Sequence, residues 1–332
     1  MGQTPMFHCI HVTPLAAESL GVRSMCTFVE TPDARILLDA GVSLCPNRFG
    51  MPPHPNEFKA IERCRKRIAC AAERADIVTV SHYHFDHHTP PYEDWLCNWT
   101  EPESTARQVY EGKTVLAKSF KEAINFSQRR RGWMFQQTSG KYAKTIEFAD
   151  WKSYIFGETS IKFSEPVFHG PENSPLGWVL LSTVEYQDEK LMFAPDIQGP
   201  MSVRTLRLIV DEKPQMLIIG GPPSYLAGYK VEDKQIQAGL SNLEQIARTV
   251  PLTILEHHTL RDKNWMEKTA MVNRAASTAG HQLLTAAAFL EEEDKCLEAG
   301  RKELFAAMPP AKDFKKWMRL GDEAKRRTKP PL

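Results

Sequence analysis

The sequence predicts an α/β (α+β) protein in which two mixed sheets lie face to face with helices outside. Two observations carry this prediction. Strand and helix patterns fall into two successive β-then-α groups, and no internal repeat of fixed period is present. The 332 residues are 42% hydrophobic and 25% charged, as in globular proteins, so the length fits one large domain with additions.

The first β-then-α group opens with a hairpin. Strands are predicted at 25–30 and 34–38, with Thr31-Pro32-Asp33 as the turn between them. Apolar residues at helical spacing predict a helix over 57–74, and a short apolar run at 76–80 predicts a buried strand.

The same apolar patterns predict the elements in the middle of the chain and in the second β-then-α group. A strand is predicted at 114–117 and a helix at 120–137. Further strands are expected at 160–168, 178–186, 190–194, 215–219 and 252–255, and helices at 201–210 and 233–248.

The predicted domain organisation is one domain with additions. Residues 1–308 form the domain, with 91–150 as an insertion or cap over one edge and 264–308 as C-terminal helices packed outside. Residues 309–332 form a basic tail with eight Lys or Arg against three Asp or Glu, expected to be a solvated terminus.

Several classes of protein are excluded by composition. No apolar run reaches the ~18 residues of a membrane helix, and residues 1–14 lack the pattern of a secretory signal, so no membrane partner is expected. The seven Cys residues are scattered without a CxxC pair, which favours reduced thiols in a cytoplasmic protein. The net charge of +1 gives no global field for nucleic acid.

The chemistry is concentrated in a loop that directly follows the strand at 76–80. His82, His84, Asp86 and His87 are four metal-ligand side chains within six positions. Alternation along an extended loop points His82 and His84 the same way, so that they can share one metal. Asp86 and His87 lie beyond, where the chain turns, and can reach a second metal. Imidazole and carboxylate together suit zinc, iron or manganese.

This H-x-H-x-D-H motif resembles the second motif of the metallo-β-lactamase superfamily. Four other positions match that superfamily's remaining motifs at predicted strand ends: Asp39, His169, Asp196 and either His257 or His258. The segment around this motif is similar to a mainly archaeal branch of the superfamily; it reads Ser81-His82-Tyr83-His84-Phe85-Asp86-His87-His88-Thr89-Pro90. The resemblance implies a four-layer αβ/βα sandwich with metals at one edge.

The resemblance also implies a site with two divalent metal ions, Zn²⁺ first, with Mn²⁺ or Fe²⁺ as alternatives. His82, His84 and His169 would hold one metal, Asp86, His87 and the late His the other, and Asp196 would bridge both. A hydroxide bridging the two metals would then be the nucleophile of a hydrolase.

Three further residues receive catalytic or supporting roles on this view. Asp86 is the carboxylate nearest to the water and would orient it. Asp39 is expected to hydrogen-bond the histidine loop from behind. His88 would either donate a proton to the leaving group or bond a backbone carbonyl and hold the loop.

The late ligand is expected to be His257 rather than His258. The tRNA 3′-processing endonucleases of the superfamily end this strand with a His followed by x-Ser-x-Arg, and His257 gives that spacing to Arg261. His258 would then be a supporting or substrate-contacting group. The run Arg129-Arg130-Arg131 would either clamp a phosphate through Arg129 and Arg130 or form a solvated helix face.

The substrate is left open between two classes, with two rival functions beside them. A phosphodiester of RNA or DNA would make the basic segments important and the activity salt-dependent. A small ester, lactone or thioester would fit a closed pocket. The rivals are a mononuclear iron oxygenase of the same fold acting on a persulfide, and a non-catalytic metal-binding module. The resemblance also allows for a homodimer.

Overall fold

The computed structural model describes residues 7–332, so the first six residues of the segment that was searched for a secretory signal lie outside it. Two large sheets form the centre of the protein. The first sheet has six strands in sequential order, antiparallel through the third and parallel from there on. Its strands are β1 (His11–Pro14), β2 (Thr27–Glu30), β3 (Arg35–Leu38), β4 (Ile77–Val80), β5 (Thr114–Ala117) and β6 (Thr145–Phe148).

The second sheet has seven strands in the order β15-β14-β13-β12-β11-β8-β7, and a separate two-stranded ribbon pairs β9 with β10. The bounds are β7 (Ser153–Phe156), β8 (Thr159–Phe163), β9 (Val167–Phe168), β10 (Trp178–Val179), β11 (Ser182–Tyr186), β12 (Glu189–Ala194), β13 (Met216–Gly220), β14 (Leu252–Glu256) and β15 (Gln282–Leu284). Strands β12 to β15 are parallel, so their carboxyl ends share one edge.

The helices lie outside the sheets. They are α1 (Pro55–Arg74), α2 (Ser104–Tyr110), α3 (Phe126–Gln137), α4 (Val203–Glu212), α5 (Asp233–Thr249), α6 (Trp265–Lys268), α7 (Ala270–Thr278), α8 (Ala286–Phe289), α9 (Arg301–Ala307), α10 (Lys312–Met318) and α11 (Asp322–Arg327). Within residues 7–332, no helix combines the length and hydropathy needed to span a bilayer.

Local sequence explains how the predicted helix at 57–74 begins. His54 caps α1, accepting the Asn56 N–H at its ring nitrogen, while its own N–H donates to Glu57 at 2.7 Å. Pro55 at the first helical position needs no hydrogen-bond partner for its nitrogen. The apolar side of the helix, including Phe58 and Ile61, is fully buried.

Two apolar clusters hold the layers together. The larger one contains residues of both sheets, among them Val78 and Val115 of the first and Phe193 and Ile218 of the second, so the sheets pack face to face. The smaller cluster joins the second sheet to its outer helices α4, α5 and α7. The predicted fold class is confirmed.

The segment 91–150 differs from the insertion or cap that was predicted. Strands β5 and β6 extend the first sheet in parallel, because their short apolar runs pair in register with β4 and with each other. Only the connections between these strands reach the edge where the predicted ligands lie.

The basic tail also differs from the solvated terminus that was predicted. Phe314 and Trp317 of α10 are buried, and their rings lie 6.0 and 5.4 Å from the ring of Phe58 on α1. The spacing of three places both aromatic rings on one side of a helix, which attaches the tail to the domain. The predicted C-terminal helices at 264–308 are present, together with strand β15, which the sequence did not predict.

Candidate metal centre

The histidine loop follows β4 and is fixed from two sides. On one side the Tyr83 N–H donates to Gln128 Oε1 of α3 at 2.8 Å, and α3 is itself capped by Asn125. On the other side Gly41 approaches so closely that a Cβ there would lie 2.2 Å from the backbone nitrogen of His88. The loop therefore has little room to move.

Three of the predicted site residues lie just after strands, with backbones in the left-handed region. The φ angles are 46° for Asp39, 51° for Asp196 and 68° for His257. Non-glycine residues adopt this conformation at a cost, and such residues cluster at functional sites. The strained positions thus coincide with the chemistry that the sequence indicated.

Asp196 lies at the centre of the cluster and is almost completely buried. Its Oδ2 lies 2.9 Å from His169 Nε2, 3.0 Å from His82 Nε2, 3.3 Å from His87 Nε2 and 3.7 Å from His84 Nδ1. Residues more than 100 positions apart therefore meet at one carboxylate.

The other oxygen of Asp196 faces the two late histidines. Oδ1 lies 2.7 Å from His257 Nε2 and 3.5 Å from His258 Nδ1. His257 Nε2 is also 3.6 Å from Asp86 Oδ2, whereas His258 lines the adjoining cavity. His257 therefore belongs to the same group as Asp86 and His87, and His258 faces outward from it.

Carboxylates support two of the histidines from behind. Asp39 Oδ2 accepts a hydrogen bond from His87 Nδ1 at 2.8 Å, and its other oxygen accepts the Ser81 N–H at 2.8 Å. Glu18 Oε2 lies 3.1 Å from His257 Nδ1, and its second oxygen accepts from Arg261 Nε at 2.8 Å. Such bonds hold each ring in one tautomer and orientation.

The sequence assigned no role to Glu18 or Arg261, although both are buried in the centre. Glu18 lies in a short 3-10 turn before β2, far along the chain from His257. The sequence did show the spacing of Arg261 to His257, which was used to choose His257 as the late ligand.

The electrostatics separate two groups of imidazoles. Burial lowers the pKa of His82 well below its usual range. Burial also acts to lower the pKa of His257, but the Asp196 and Glu18 carboxylates outweigh it and raise that pKa to about 9. Burial likewise opposes a rise at His87, yet Asp196 and Asp39 hold its pKa well above normal.

The donor set fits divalent metal ions. Among the described residues, His87 Nε2, Asp196 Oδ1 and His258 Nδ1 are buried without a hydrogen-bond partner, although Asp196 Oδ1 is close to two rings. Buried polar atoms rarely stay unpartnered, and imidazole nitrogens and carboxylate oxygens gathered at one point are donors that suit a divalent cation. Four groupings have their ligand atoms within 4.8 Å of one another: His82, His84, His169 and Asp196; Asp86, His87 and His257; Asp196, His257 and His258; and Asp39, His82 and His87.

The geometry bears on the roles expected for His88 and Asp39. His88 does not line the cavity: its Nδ1 bonds the His84 carbonyl oxygen at 2.9 Å, and burial lowers its pKa to about 3. It holds the loop and does not face a leaving group. Asp39, which was expected to support the histidine loop from behind, is fully buried and hydrogen-bonds the His87 ring.

The arginine of this run that lines the cavity is Arg131, the residue after the two predicted substrate contacts. Arg129 and Arg130 are exposed and do not line the cavity, whereas Arg131 does. The Arg131 guanidinium lies 5.0 Å above the ring of Phe85, the residue next to Asp86. On a helix, three consecutive residues point in directions about 100° apart, so only one of them faces the cavity.

A cavity of about 1140 Å³ opens beside the cluster. His84, Asp86, His169, Asp196 and His258 form its floor. This volume exceeds the ~300–1,000 Å³ of typical small-molecule pockets, so the site has room for a sizeable substrate.

The architecture and the site together define a class. Two mixed sheets face to face, with His and Asp ligands at strand ends drawn from both sheets, are the arrangement of the metallo-β-lactamase fold. The chain belongs to the UPF0282 protein family. It is 40% identical to the UPF0282 protein of Methanopyrus kandleri over 295 residues, covering 89% of this chain and 99% of that relative.

Other comparisons agree with this placement. The UPF0282 protein of Thermococcus gammatolerans is 42% identical over 296 residues, covering 89% of this chain and 95% of the relative. Both organisms are archaea, as the expected branch is. No family model matches the chain.

Solved structures resemble the chain only in fold. Yeast PDE1 matches with a TM-score of 0.50 and 10% identity, over 83% of this chain and 97% of that one. The metallo-beta-lactamase fold protein YhfI from Bacillus subtilis matches with a TM-score of 0.48 and 14% identity, over 83% of this chain and 95% of that one.

Proposed function

We propose that this protein is a metal-dependent hydrolase whose centre holds two divalent cations, Zn²⁺ first, with Mn²⁺ or Fe²⁺ as alternatives. The observation that carries the proposal is the convergence of six imidazoles on the buried carboxylate of Asp196, within 3.7 Å of its oxygens. A lone structural carboxylate would need far fewer partners.

The ligands divide into two sites that share Asp196. Site one consists of His82, His84 and His169. Site two consists of Asp86, His87 and His257. His257 is preferred to His258 in site two because its Nε2 lies 2.7 Å from Asp196 Oδ1 and 3.6 Å from Asp86 Oδ2, whereas His258 Nδ1 lies 3.5 Å from Asp196 Oδ1.

Bound divalent cations would supply a water of lowered pKa and positive charge to offset the charge that develops on the substrate. The chain's own groups then position the reactants. Asp86 faces both the centre and the cavity, so its carboxylate can accept a hydrogen bond from the attacking water and orient it. Burial opposes ionisation of Asp86, but His87 and His257 outweigh it, and the pKa of Asp86 falls far below its usual range.

His258 and Arg261 serve the substrate side of the centre. Both line the cavity, and His258 Nδ1 is 3.5 Å from Asp196 Oδ1. Arg261 Nη2 is 3.6 Å from Asp86 Oδ2, where its charge favours the ionised carboxylate. His258 is placed to bond a substrate oxygen, and Arg261 keeps Asp86 ionised so that its carboxylate can accept a hydrogen bond from water.

The test is a hydrolysis screen of the protein loaded with zinc, manganese or iron. The substrates are a chromogenic phosphodiester, a lactone and a thioester, assayed before and after chelation and again after metal is restored. We expect hydrolysis that is lost on chelation and regained with metal. Hydrolysis that survives complete chelation would contradict the proposal, and oxygen uptake driven by a persulfide with one iron per chain would favour the oxygenase.

A further inference from the structure

The cavity beside the metal centre has a strongly cationic wall. Five of its lining side chains are Lys or Arg, while its only two acidic ones, Asp86 and Asp196, belong to the centre. Three of the five are paired with buried carboxylates: Arg23 with Glu298, Arg261 with Glu18 and Arg326 with Asp94. Positive charge remains on the part of the wall away from the metal ligands.

Arg131 is the first side chain that carries this charge. Its guanidinium rests on the face of Phe85 and has no carboxylate within ion-pair distance among residues 7–332. Stacking on an aromatic ring fixes the plane of a guanidinium while leaving its N–H groups free to bond oxygens. Arg131 is therefore positioned and unneutralised.

Arg326 is the second arginine of this part of the wall, and it comes from the basic tail. It pairs with the fully buried Asp94, whose Oδ1 already accepts the Cys97 N–H at 2.9 Å. The tail is held in place there, because the Trp95 N–H donates to the Arg326 carbonyl oxygen at 2.8 Å and the Lys329 ammonium lies 4.9 Å above the ring of Trp95. The attachment leaves the Arg326 side chain about one-third exposed.

Tyr92 lines the same cavity as the two arginines. Burial and Asp94 raise the pKa of the Tyr92 hydroxyl, while Arg326 and Arg131 both act on it in the opposite direction. The ring of Tyr92 also contacts Phe85, with centroids 5.7 Å apart.

We propose that Arg131 and Arg326, which line one cavity together with Tyr92, form an oxyanion-binding subsite for a phosphate or carboxylate group of the substrate remote from the bond that is cleaved. The inference rests on the proposed function for the identity of its ligand as substrate. Guanidinium groups bind such oxyanions with short, charge-assisted hydrogen bonds. The subsite makes the basic tail part of the substrate pocket, so the substrate is a sizeable organic anion.

The test measures binding of three small aromatic probes to the metal-loaded full-length protein by titration calorimetry. Phenylphosphonate and benzoate carry the two candidate anions, and phenol is their neutral counterpart. We expect Arg131→Gln and Arg326→Gln each to weaken binding of the preferred anion by about tenfold or more, with phenol unchanged. The matched controls are Arg130→Gln on the same helix and Arg327→Gln on the tail, both exposed and outside the cavity.

Each other outcome overturns the subsite. Unchanged anion binding in both variants would show that the anion binds only at the metal centre. Equal loss of phenol and anion binding would show that the substitution disrupts the cavity wall as a whole. If the unsubstituted protein binds neither anion, no oxyanion subsite is present. Metal content and hydrolysis are measured separately. If the unsubstituted protein binds the anion but hydrolyses none of the substrates, and the variants lose anion binding, the subsite is supported and the proposed hydrolase is refuted.

Discussion

Site one and site two differ in what lies behind their histidines. In site two, carboxylates face the outer ring nitrogens: Asp39 at His87, 2.8 Å away, and Glu18 at His257, 3.1 Å away. In site one the partners are neutral, Ser81 Oγ at 3.0 Å from His82 Nδ1 and the Gln198 amide at 3.4 Å from His169 Nδ1.

The difference concerns the basicity of the ligands. A carboxylate behind an imidazole holds the proton on the outer nitrogen and makes the inner nitrogen a stronger metal ligand. Ser81 partly compensates at His82, because its hydroxyl in turn donates to Asp39. The comparison teaches that two sites sharing one bridging carboxylate need not bind metal equally, and it predicts tighter binding at site two.

The largest expected effect is on both sites at once. Asp196→Ala removes the group on which all six imidazoles converge, so we expect the metal content to fall from about two ions per chain to fewer than one. Elemental analysis of the purified variant measures this. Arg130→Gln serves as the control for handling, and two retained ions in Asp196→Ala would refute the shared site.

The next effect removes one ion only. His257→Ala deletes a site-two ligand, and we expect loss of that ion with retention of the ion at site one. His258→Ala should keep both ions, because His258 Nδ1 lies 3.5 Å from Asp196 Oδ1, whereas His257 Nε2 lies 2.7 Å from the same oxygen. The reverse pattern in elemental analysis would exchange the roles of the two neighbouring histidines.

A smaller effect tests the carboxylates themselves. Glu18→Gln keeps the shape of the side chain but removes its charge behind His257, so we expect the affinity at site two to fall by about 10–100-fold. Asp39→Asn should act similarly through His87. Competition with a chromophoric chelator measures both, and a loss confined to site one in either variant would reverse the comparison.

How much of this centre the sequence predicted depends on chain separation. His82, His84, Asp86 and His87 are close in sequence, so their common role could be inferred without the fold. Glu18 could not be found in this way, because its contact with His257 spans 239 residues and depends on the packing of a 3-10 turn against the end of β14.

The cavity wall shows a different kind of limit. A run of three arginines was visible in the sequence, but the rotation of α3 against the histidine loop decides that only Arg131 faces inward. The tail carried a readable signal in Phe314 and Trp317, spaced for one helix face. What it could not reveal was that α1 offers Phe58 as the surface that receives them.

The fold as a whole was easier to predict than its edges. The β3, β4 and β14 strands follow apolar runs that are buried in the structure, so burial and pattern agreed. Strand β6 was missed because the alternation in Thr145–Phe148 leaves two of its four side chains exposed and the others only partly buried. Its pairing with β5, rather than its own composition, places it in the sheet.

The smallest expected effect tests the neutral support of site one. The Gln198 amide lies 3.4 Å from His169 Nδ1, a long contact between uncharged groups, so Gln198→Met should lower the affinity at site one by about threefold at most. Competition titration of Gln198→Met and Glu18→Gln side by side gives the ratio of their losses in metal affinity. Because the carboxylate variant should lose far more than the amide variant, equal losses would mean that ring orientation, and not the charge behind the ring, sets the affinity of both sites.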